Sequence, residues 1–191
     1  KDPNTFIKND PLEREKEKKL PGNKFYYYYY SFGTDKFGVT RFQTTTTDPN
    51  GKYSYVYKDH RDLQTSVTDA LGGITAFNYN VLGALCESYD PEDNITTHTY
   101  DMLGQRTQTV HPDAGTTNYE YDNAGNLIFM QTQNLINETK KVNYIYDYGR
   151  LKEVRYPQNP EMNVYYTYGL PNVLGANRIV KQQDASGVQS F

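Results

Sequence analysis

The stretch from Tyr100 to Leu127 decides the fold. It begins with Tyr100-Asp101-Met102-Leu103-Gly104, which returns 21 residues later as Tyr121-Asp122-Asn123-Ala124-Gly125 (121 − 100 = 21). The same interval towards the N-terminus reaches Tyr79-Asn80-Val81-Leu82-Gly83, and Tyr146-Asp147-Tyr148-Gly149 follows with one residue fewer in the turn. Self-similarity at a fixed period is the signature of a repeat architecture. We therefore predict an array of repeats of about 21 residues.

A second series of turn sequences lies half a period away from the first. Its members are Asp48-Pro49-Asn50-Gly51, Asp69-Ala70-Leu71-Gly72, Asp90-Pro91-Glu92-Asp93 and His111-Pro112-Asp113-Ala114. Their first residues are also 21 apart (69 − 48, 90 − 69 and 111 − 90). Asp first, Pro second and Gly fourth are preferences of type I turns. Two turns in each repeat predict two strands in each repeat, and hence an all-β fold of tandem antiparallel β-hairpins.

Composition excludes several classes of protein. The net charge of −3 gives no signal for nucleic-acid binding. Twenty tyrosines and no tryptophan favour strands whose rings pack while their hydroxyls reach polar partners. A single cysteine, Cys86, excludes an intrachain disulfide framework, and no stretch approaches the roughly 18 apolar residues of a membrane span. Because the chain starts without Met and the repeats begin early, we expect it to be part of a longer protein.

Two segments depart from the repeat pattern. Residues 1–24 contain a dense run of mixed charge at 12–20, closed by Pro21-Gly22, and precede the array of six to seven repeats predicted for residues 25–191. The run favours a charged tail or an inserted loop that is solvated or disordered, with a short exposed helix as the alternative. Residues 131–143 lengthen one repeat (146 − 121 = 25) and are predicted to form a longer loop.

Aromatic residues recur in the strands that lead into the first series of turns. The pairs, two residues apart and so on one face of a strand, are Tyr55/Tyr57, Phe77/Tyr79, His98/Tyr100, Tyr119/Tyr121, Tyr144/Tyr146 and Tyr166/Tyr168. Neighbouring repeats in register would stack these rings into an aromatic column. The residues that define the repeat are Tyr57, Tyr79, Gly83, Tyr100, Asp101, Gly104, Tyr121, Asp122, Gly125, Tyr146, Asp147 and Gly149.

Five consecutive tyrosines, Tyr26, Tyr27, Tyr28, Tyr29 and Tyr30, precede the first full repeat. In a strand they place rings on both faces of the sheet. Exposed tyrosine rings are flat amphipathic surfaces that suit protein partners and sugars. This run is therefore predicted as the candidate ligand-binding surface.

The alternation of Tyr-x-Tyr-Asp-x-x-Gly with Asp-Pro-x-Gly, seen clearly from Tyr119 to Leu127, resembles the YD-repeat or Rhs family over about residues 25–170. The resemblance implies hairpins in a curved strip that, in large bacterial toxins and in the teneurin adhesion proteins, closes into a hollow shell. In the toxin branch the shell encloses a toxic C-terminal passenger. Six or seven repeats are too few for a closed shell, so we expect a section of the wall.

The same family has an autoprotease near the end of its shell, around an Asp-Pro-x-Gly motif. Asp48-Pro49-Asn50-Gly51 matches the motif but lies early in the array. We interpret it as a turn and predict no catalytic residue.

Other candidate chemistry has a structural interpretation. His60, His98 and His111 do not have the spacing of metal ligands; His98 falls in the aromatic column and His111 at the Asp position of a turn. Asp90, Glu92 and Asp93 form the best candidate for calcium, but recurring turn aspartates bond their own backbone. We predict no metal and no cofactor.

The sequence thus predicts a non-catalytic structural segment of a large secreted or surface Rhs/YD-repeat protein from a bacterium. Its partners are then the neighbouring repeats of the parent chain and an encapsulated toxic or effector passenger, with no nucleic acid and no membrane span. The alternative is a cell-surface adhesion or carbohydrate-binding module that binds glycans or a surface receptor through its tyrosine-rich face.

Overall fold

The computed structural model describes residues 5–170 and 176–191. Seventeen β-strands, one short α-helix and one 3-10 helix occur in that part of the chain. The strands are β1 (Phe6–Asn9), β2 (Glu15–Leu20), β3 (Lys24–Thr34), β4 (Thr40–Thr47), β5 (Tyr53–Lys58), β6 (Gln64–Thr68), β7 (Ile74–Tyr79), β8 (Leu85–Tyr89), β9 (Ile95–Tyr100), β10 (Arg106–His111), β11 (Gly115–Tyr121), β12 (Leu127–Gln131), β13 (Val142–Asp147), β14 (Arg150–Arg155), β15 (Val164–Tyr168), β16 (Ile179–Asp184) and β17 (Gly187–Ser190). The helix α1 (Gln133–Asn137) follows β12, and the 3-10 helix (Pro160–Met162) follows β14. Residues 171–175 of the predicted array lie outside the described residues.

The chain divides into two compact units, Lys1–Thr96 and Thr97–Phe191. In the first unit, each strand from β1 to β8 pairs antiparallel with the next. In the second unit, the same holds from β9 to β17. Strands that follow one another in sequence therefore lie side by side, and the predicted all-β fold of tandem antiparallel hairpins is confirmed.

Neither unit has a large hydrophobic core. Within the described residues, Ala76 (0% exposed) and Val142 (5%) are the only buried hydrophobic side chains. Small side chains occupy the middle of the first unit, where the register places Ser66 opposite both Tyr57 and Ala76. The backbone ladders and the turns therefore supply much of the order in this fold.

One turn design joins most of the hairpins, and Asp101 shows how it is built. Its Oδ1 atom accepts hydrogen bonds from the backbone N–H groups of Leu103 (2.9 Å) and Gln105 (2.8 Å). The N–H of Asp101 donates to the carbonyl of Gln105 (2.9 Å), and the N–H of Gly104 donates to the carbonyl of Asp101 (3.1 Å). Gly104 has a φ of +79°, in the left-handed region that side chains disfavour. The Asp and the Gly are therefore parts of one structural unit.

Both predicted series of turns share this geometry. In the described part of the chain the side-chain oxygen accepts from the residues two and four positions ahead in nine turns, which begin at Asp10, Asp35, Asp48, Asp59, Asp69, Asn80, Asp90, Asp101 and Asp122. The fourth residue has positive φ in each of them, and it is Gly except at Glu13 (+62°), Asp62 (+65°) and Asp93 (+65°). Asn80 shows that the amide oxygen of Asn can replace the carboxylate.

The turns at His111 and Asp147 depart from this design. The Nδ1 atom of His111 accepts from the N–H groups of Asp113 (3.1 Å) and Ala114 (3.2 Å), so the ring replaces the carboxylate. Asp147 pairs directly with Arg150, and the two residues between them, Tyr148 and Gly149, have φ of +48° and +76°. Two consecutive positive φ values are typical of a two-residue type I′ hairpin. This turn has one residue fewer than the other turns of its series, and the shorter connection forms a tighter hairpin.

The charged run at residues 12–20 contains a strand, which corrects the disordered insertion and the short helix predicted from its composition. Strand β2 pairs with β1 on one side and with β3 on the other. Backbone pairing therefore continues across the boundary that was predicted between residues 1–24 and the repeat array. Glu17 forms an ion pair with Lys8 on the neighbouring strand (3.2 Å), and the Lys19 ammonium lies 5.6 Å from the centre of the Phe25 ring. Long Lys and Glu side chains can lie along a sheet with their charged ends in water. The charges thus occupy the faces of a paired strand.

The lengthened repeat contains a helix where a loop was predicted. Helix α1 is one short turn, in which Ile136 donates to the carbonyl of Thr132 (2.9 Å). Its first residue, Gln133, accepts a hydrogen bond at Oε1 from the N–H of Thr116 (2.9 Å) on strand β11. This side-chain contact fixes the inserted residues against the hairpin.

Candidate functional site

Strand β3 carries the five consecutive tyrosines, and its pleat sends them to two faces of the sheet. Tyr26, Tyr28 and Tyr30 are half-buried, whereas Tyr27 and Tyr29 are exposed over 37% and 55% of their surface. Successive side chains of a strand point to opposite faces. The candidate surface predicted for this run is therefore divided between two faces of the sheet.

The half-buried face holds its tyrosines firmly. The Tyr30 ring stacks on Phe42 with 6.1 Å between ring centres and 12° between planes, and the Arg14 guanidinium lies 4.0 Å from its centre. Its hydroxyl donates to the carbonyl of Glu15 (2.8 Å). Burial raises the pKa of the Tyr30 hydroxyl, and it does the same for Tyr28. These side chains serve the fold.

The opposite face carries an area that we term the aromatic platform, made of the half-buried Phe25 and the exposed Tyr27, Tyr29 and Tyr53. Tyr27 stacks on Phe25 with 6.2 Å between centres and 10° between planes. The register places Tyr27 opposite Thr47, and Thr47 opposite Tyr53, so these side chains share a face. Tyr53 is 54% exposed. The platform is an aromatic surface open to solvent.

A groove of about 340 Å³ borders the platform and is lined in part by Phe25, Tyr27 and Pro49. Aromatic rings beside polar groups suit the apolar face of a sugar or a protein side chain. Tyr53 was not singled out from the sequence. Its position two residues before Tyr55, and hence on the same face of a strand, was the signal that could have found it.

Tyrosine hydroxyls also link neighbouring strands near the Asp turns. These bonds run to backbone carbonyls and join Tyr30 to Glu15 (2.8 Å), Tyr79 to Gln64 (3.0 Å), Tyr121 to Arg106 (3.1 Å) and Tyr168 to Leu151 (2.8 Å). In each case the carbonyl belongs to one of the first residues after the preceding turn of the same series. The tyrosines at these four positions thus perform the same task.

Tyr79 shows where this link acts. The backbone pairing of β6 with β7 runs from Thr68 to Ser66, two residues short of Gln64. The Tyr79 hydroxyl reaches the Gln64 carbonyl (3.0 Å) and extends the connection past the last backbone pair. Burial, followed by the nearby Asp59 carboxylate, raises the pKa of Tyr79. A phenylalanine at this position would keep the ring but lose the link.

The aromatic residues predicted to form a column share one face in the second unit, but non-aromatic residues of the intervening strands lie between them. The register places His98, Tyr119, Tyr144 and Tyr166 on one face of the sheet. Burial raises the pKa of Tyr144, and for Tyr146 burial and then the charge of Asp122 do so. Tyr121 ends strand β11, and Tyr146 is the second-last residue of β13, so both lie beside the turns as expected.

Tyr57 lies outside the column in the first unit. It shares a face with Ser66 and Ala76, which is the face opposite to that of Phe77. Lys58 separates Tyr57 from the Asp59 turn, whereas Tyr79 directly precedes Asn80 (79 − 58 = 21). The position equivalent to Tyr79 is therefore Lys58, and Tyr57 is one residue out of register with the repeat-defining tyrosines.

The candidate calcium residues serve the turn and an ion pair. Asp90 Oδ1 accepts from the N–H groups of Glu92 (3.0 Å) and Asn94 (2.8 Å), and Asp93 pairs with Lys36. The side-chain hydrogen bond from Asn94 is the main cause that lowers the pKa of Asp90. In residues 5–170 and 176–191, no three His, Cys, Asp or Glu side chains form a group that could hold a metal ion.

His98 and Cys86 have local partners. The Nδ1 atom of His98 lies 3.1 Å from Thr109 Oγ1, and burial, with a smaller contribution from Arg106, lowers its pKa. The thiol of Cys86 is half-buried and lies 3.7 Å from the carbonyl of Ala84.

In the part of the chain that the structure describes, no helix is long and apolar enough to cross a membrane.

These features define a class of protein built from tandem β-hairpins, in which Tyr recurs near turns that begin with Asp or Asn. No protein-family model and no curated protein matches the sequence. The structure is similar to a chain of the TcdB2-TccC3-TEV crystal structure, with a TM-score of 0.71 and 20% identity over 98% of this chain and 11% of that chain. A crystal structure of TcdB2-TccC3 without its hypervariable C-terminal region gives a TM-score of 0.70 and 20% identity over 96% and 10%.

A third solved structure, the Tc holotoxin pore of Photorhabdus luminescens, matches with a TM-score of 0.53 and 15% identity, over 93% of this chain and 12% of that chain. The chain thus spans about a tenth of the length of the solved chains it resembles. At these identities the likeness establishes the fold.

Proposed function

We propose that this chain is a non-catalytic section of the wall of a hollow β-shell within a larger toxin-complex protein of the Rhs/YD-repeat type. The observation that carries the proposal is the match of 98% of the chain, at a TM-score of 0.71, to only 11% of a TcdB2-TccC3 chain. The Tyr-Asp repeat from Tyr119 to Leu127 supports the same family. The neighbouring repeats of the parent chain are then its direct partners.

The chemistry of the turns supports a structural role. Asp35 is the most buried turn carboxylate, and although burial alone would raise its pKa, hydrogen bonds from the Val39 N–H and then the Arg41 guanidinium lower it. Its oxygens accept from Phe37, Val39 and Arg41 at 3.0, 3.0 and 3.1 Å. A carboxylate with its oxygens in use by its own turn is a poor acid or base for a substrate.

The proposed shell has consequences for what the parent protein carries and for where it acts. One of the similar structures is TcdB2-TccC3 without its hypervariable C-terminal region, and by analogy the parent of this chain would enclose a variable toxic or effector segment. A protein that carries such cargo to a target cell acts outside the bacterium that makes it. We therefore propose that the parent protein is secreted.

Single-particle imaging of the intact parent chain tests the wall function. We expect a closed hollow particle in which residues 25–191 form part of the wall, and a passenger that resists added protease until the shell is denatured. An open or extended particle, with a passenger cleaved at the rate of a free peptide, would overturn the proposal.

The aromatic platform supports a second candidate function, adhesion to a glycan. Tyr27, Tyr29 and Tyr53 present rings to solvent beside the half-buried Phe25 and the groove of about 340 Å³. Sugar rings stack on such surfaces through their apolar faces.

A glycan array tests the candidate. Tyr29→Ser and Tyr53→Ser should each abolish binding to any glycan that the unaltered chain retains. Leu71→Ser is the matched control, because Leu71 is 94% exposed but lies in a turn away from the platform strands. Absence of binding by the unaltered chain, or equal loss in the control, would contradict a glycan site.

A further inference from the structure

Two turns of the first unit that are far apart in sequence touch each other. The turn that begins at Asp35 joins β3 to β4, and the turn that begins at Asp90 follows β8. Because strands alternate in direction, these two turns belong to opposite edges of the antiparallel strip. The contact therefore joins one edge of the strip to the other.

Four side chains make the contact. The Lys36 ammonium forms an ion pair with Asp93 and lies 5.3 Å from the centre of the Tyr89 ring. The Phe37 ring meets Tyr89 edge to face, with 5.5 Å between centres and 72° between planes. The side chain of Lys36 is only 20% exposed. The Asp93 side chain is 74% exposed and Phe37 is 41% exposed, so the shielded part of the contact is the Lys36 ammonium over the Tyr89 ring.

A flat sheet could not make this contact. Five strand spacings separate the β3–β4 turn from the turn after β8, which is about 24 Å at roughly 4.8 Å for each spacing. The strand length adds further distance, because the two turns lie at opposite edges. A ring contact of 5.5 Å therefore requires strands β3 to β8 to coil.

We propose that Lys36, Phe37, Tyr89 and Asp93 form a clasp that holds strands β3 to β8 in a coil and sets the local curvature of the strip. The clasp replaces a hydrophobic core in this unit, where Ala76 is the one buried hydrophobic side chain among the described residues of 5–96. Breaking it lets the strip uncoil while the hairpins remain paired.

The turns that begin at Asp69 and Asn80 lack this chemistry. The positions equivalent to Tyr89 and Asp93 hold Thr68 and Gly72 in the preceding turn of that series. The positions equivalent to Lys36 and Phe37 hold Val81 and Leu82, which are 93% and 78% exposed. The clasp is thus a specific addition to the repeat and not a consequence of its period.

Distance measurement between spin labels tests the clasp directly. Labels at Val39→Cys and Glu92→Cys, in a Cys86→Ser background, report on the two turns in the full chain. We expect one narrow, short distance distribution. Lys36→Met combined with Asp93→Asn should broaden it and move it towards the roughly 24 Å or more of an uncoiled strip, with unchanged strand content by circular dichroism. An unchanged distribution in the double variant and in Phe37→Ala would overturn the proposal.

The control removes an equal pair of charges within one turn. Lys58 and Asp62 form an ion pair at 2.9 Å inside the turn that follows β5, so Lys58→Met with Asp62→Asn should leave the label distance unchanged. If the clasp variants do not fold, salt supplies a second measurement on the unaltered side chains. Raising ionic strength screens the partly exposed Lys36–Asp93 pair and should lengthen the distance; a distance that stays constant up to 1 M salt would contradict an ionic part of the clasp.

Discussion

Tyr79, Tyr121 and Tyr168 end their strands with a hydroxyl that donates to a carbonyl of the neighbouring strand. The ring of each residue could be supplied by phenylalanine, but the hydrogen bond could not. In Tyr79-Asn80 and Tyr121-Asp122, adjacent residues therefore perform two tasks, a link between strands and a closed turn.

Tyr79→Phe and Tyr121→Phe should each lower the free energy of unfolding by about 1 kcal/mol, because each removes one hydrogen bond without removing the ring. In a chain of this length the loss corresponds to roughly 2–4 °C in Tm. Tyr148→Phe is the control, since Tyr148 is 95% exposed, and thermal melts should place it within error of the unaltered chain. An equal loss in all three variants would show that the hydroxyl links do not stabilise the fold.

Substitutions at Gly104 can distinguish the energetic cost of backbone strain from that of steric contact. A Cβ atom added there would meet nothing within 4 Å, but φ is +79°. Gly104→Val should therefore destabilise the chain by about 1–2 kcal/mol through the left-handed backbone alone. Gly104→Asn should cost less, because Asn tolerates this region and Asp62 and Asp93 occupy it in other turns. Urea unfolding would measure both, and equal losses would contradict a conformational cause.

At the scale of the turn, the Asp carboxylate couples stability to pH. Hydrogen bonds from Asn126, first from its side chain and then from its backbone, lower the pKa of Asp122. A lowered folded-state pKa contributes stability that is present above the ordinary pKa and is lost as pH falls through the folded value. The turns should therefore weaken below about pH 4.

Asp122→Asn tests this coupling, because Asn80 makes the same two backbone contacts in its own turn. The variant should be slightly less stable than the unaltered chain at pH 7 and should lose less stability between pH 5 and pH 3. Urea titrations at the three pH values would measure the difference. Parallel losses in the two proteins would place the acid sensitivity elsewhere.

Hairpin turns were predictable because their chemistry is local: Asp48 and Gly51 lie within one turn and determine its backbone together. Strand β2 was not, because residues 15–20 lack the alternation of apolar and polar residues, and their pairing depends on β1 and β3. The face of Tyr57 was missed because one additional residue, Lys58, reverses the side to which a strand residue points. The clasp depends on the coiling of several strands, which no local pattern reports.

At the scale of the whole molecule, the lack of a large hydrophobic core determines which strands are the least stable. All four residues of β1 and all four of β17 are exposed, whereas Ser66 and Ala76 near the centre of the first unit are 1% and 0% exposed. In repeat arrays each strand is stabilised by its neighbours, so the outermost strands open first. The two terminal strands should therefore be the least stable parts of the isolated chain.

Hydrogen exchange can test both this gradient and the proposed wall function. In the isolated chain, amides of β1 and β17 should exchange much faster than those of β6 and β7. In the intact parent protein, where further hairpins would pair with the outer edges, the same amides should become as protected as the central strands, while β6 and β7 serve as the internal reference. Fast exchange of β1 and β17 in the parent as well would mean that the strip does not continue through them, and the wall function would then fail.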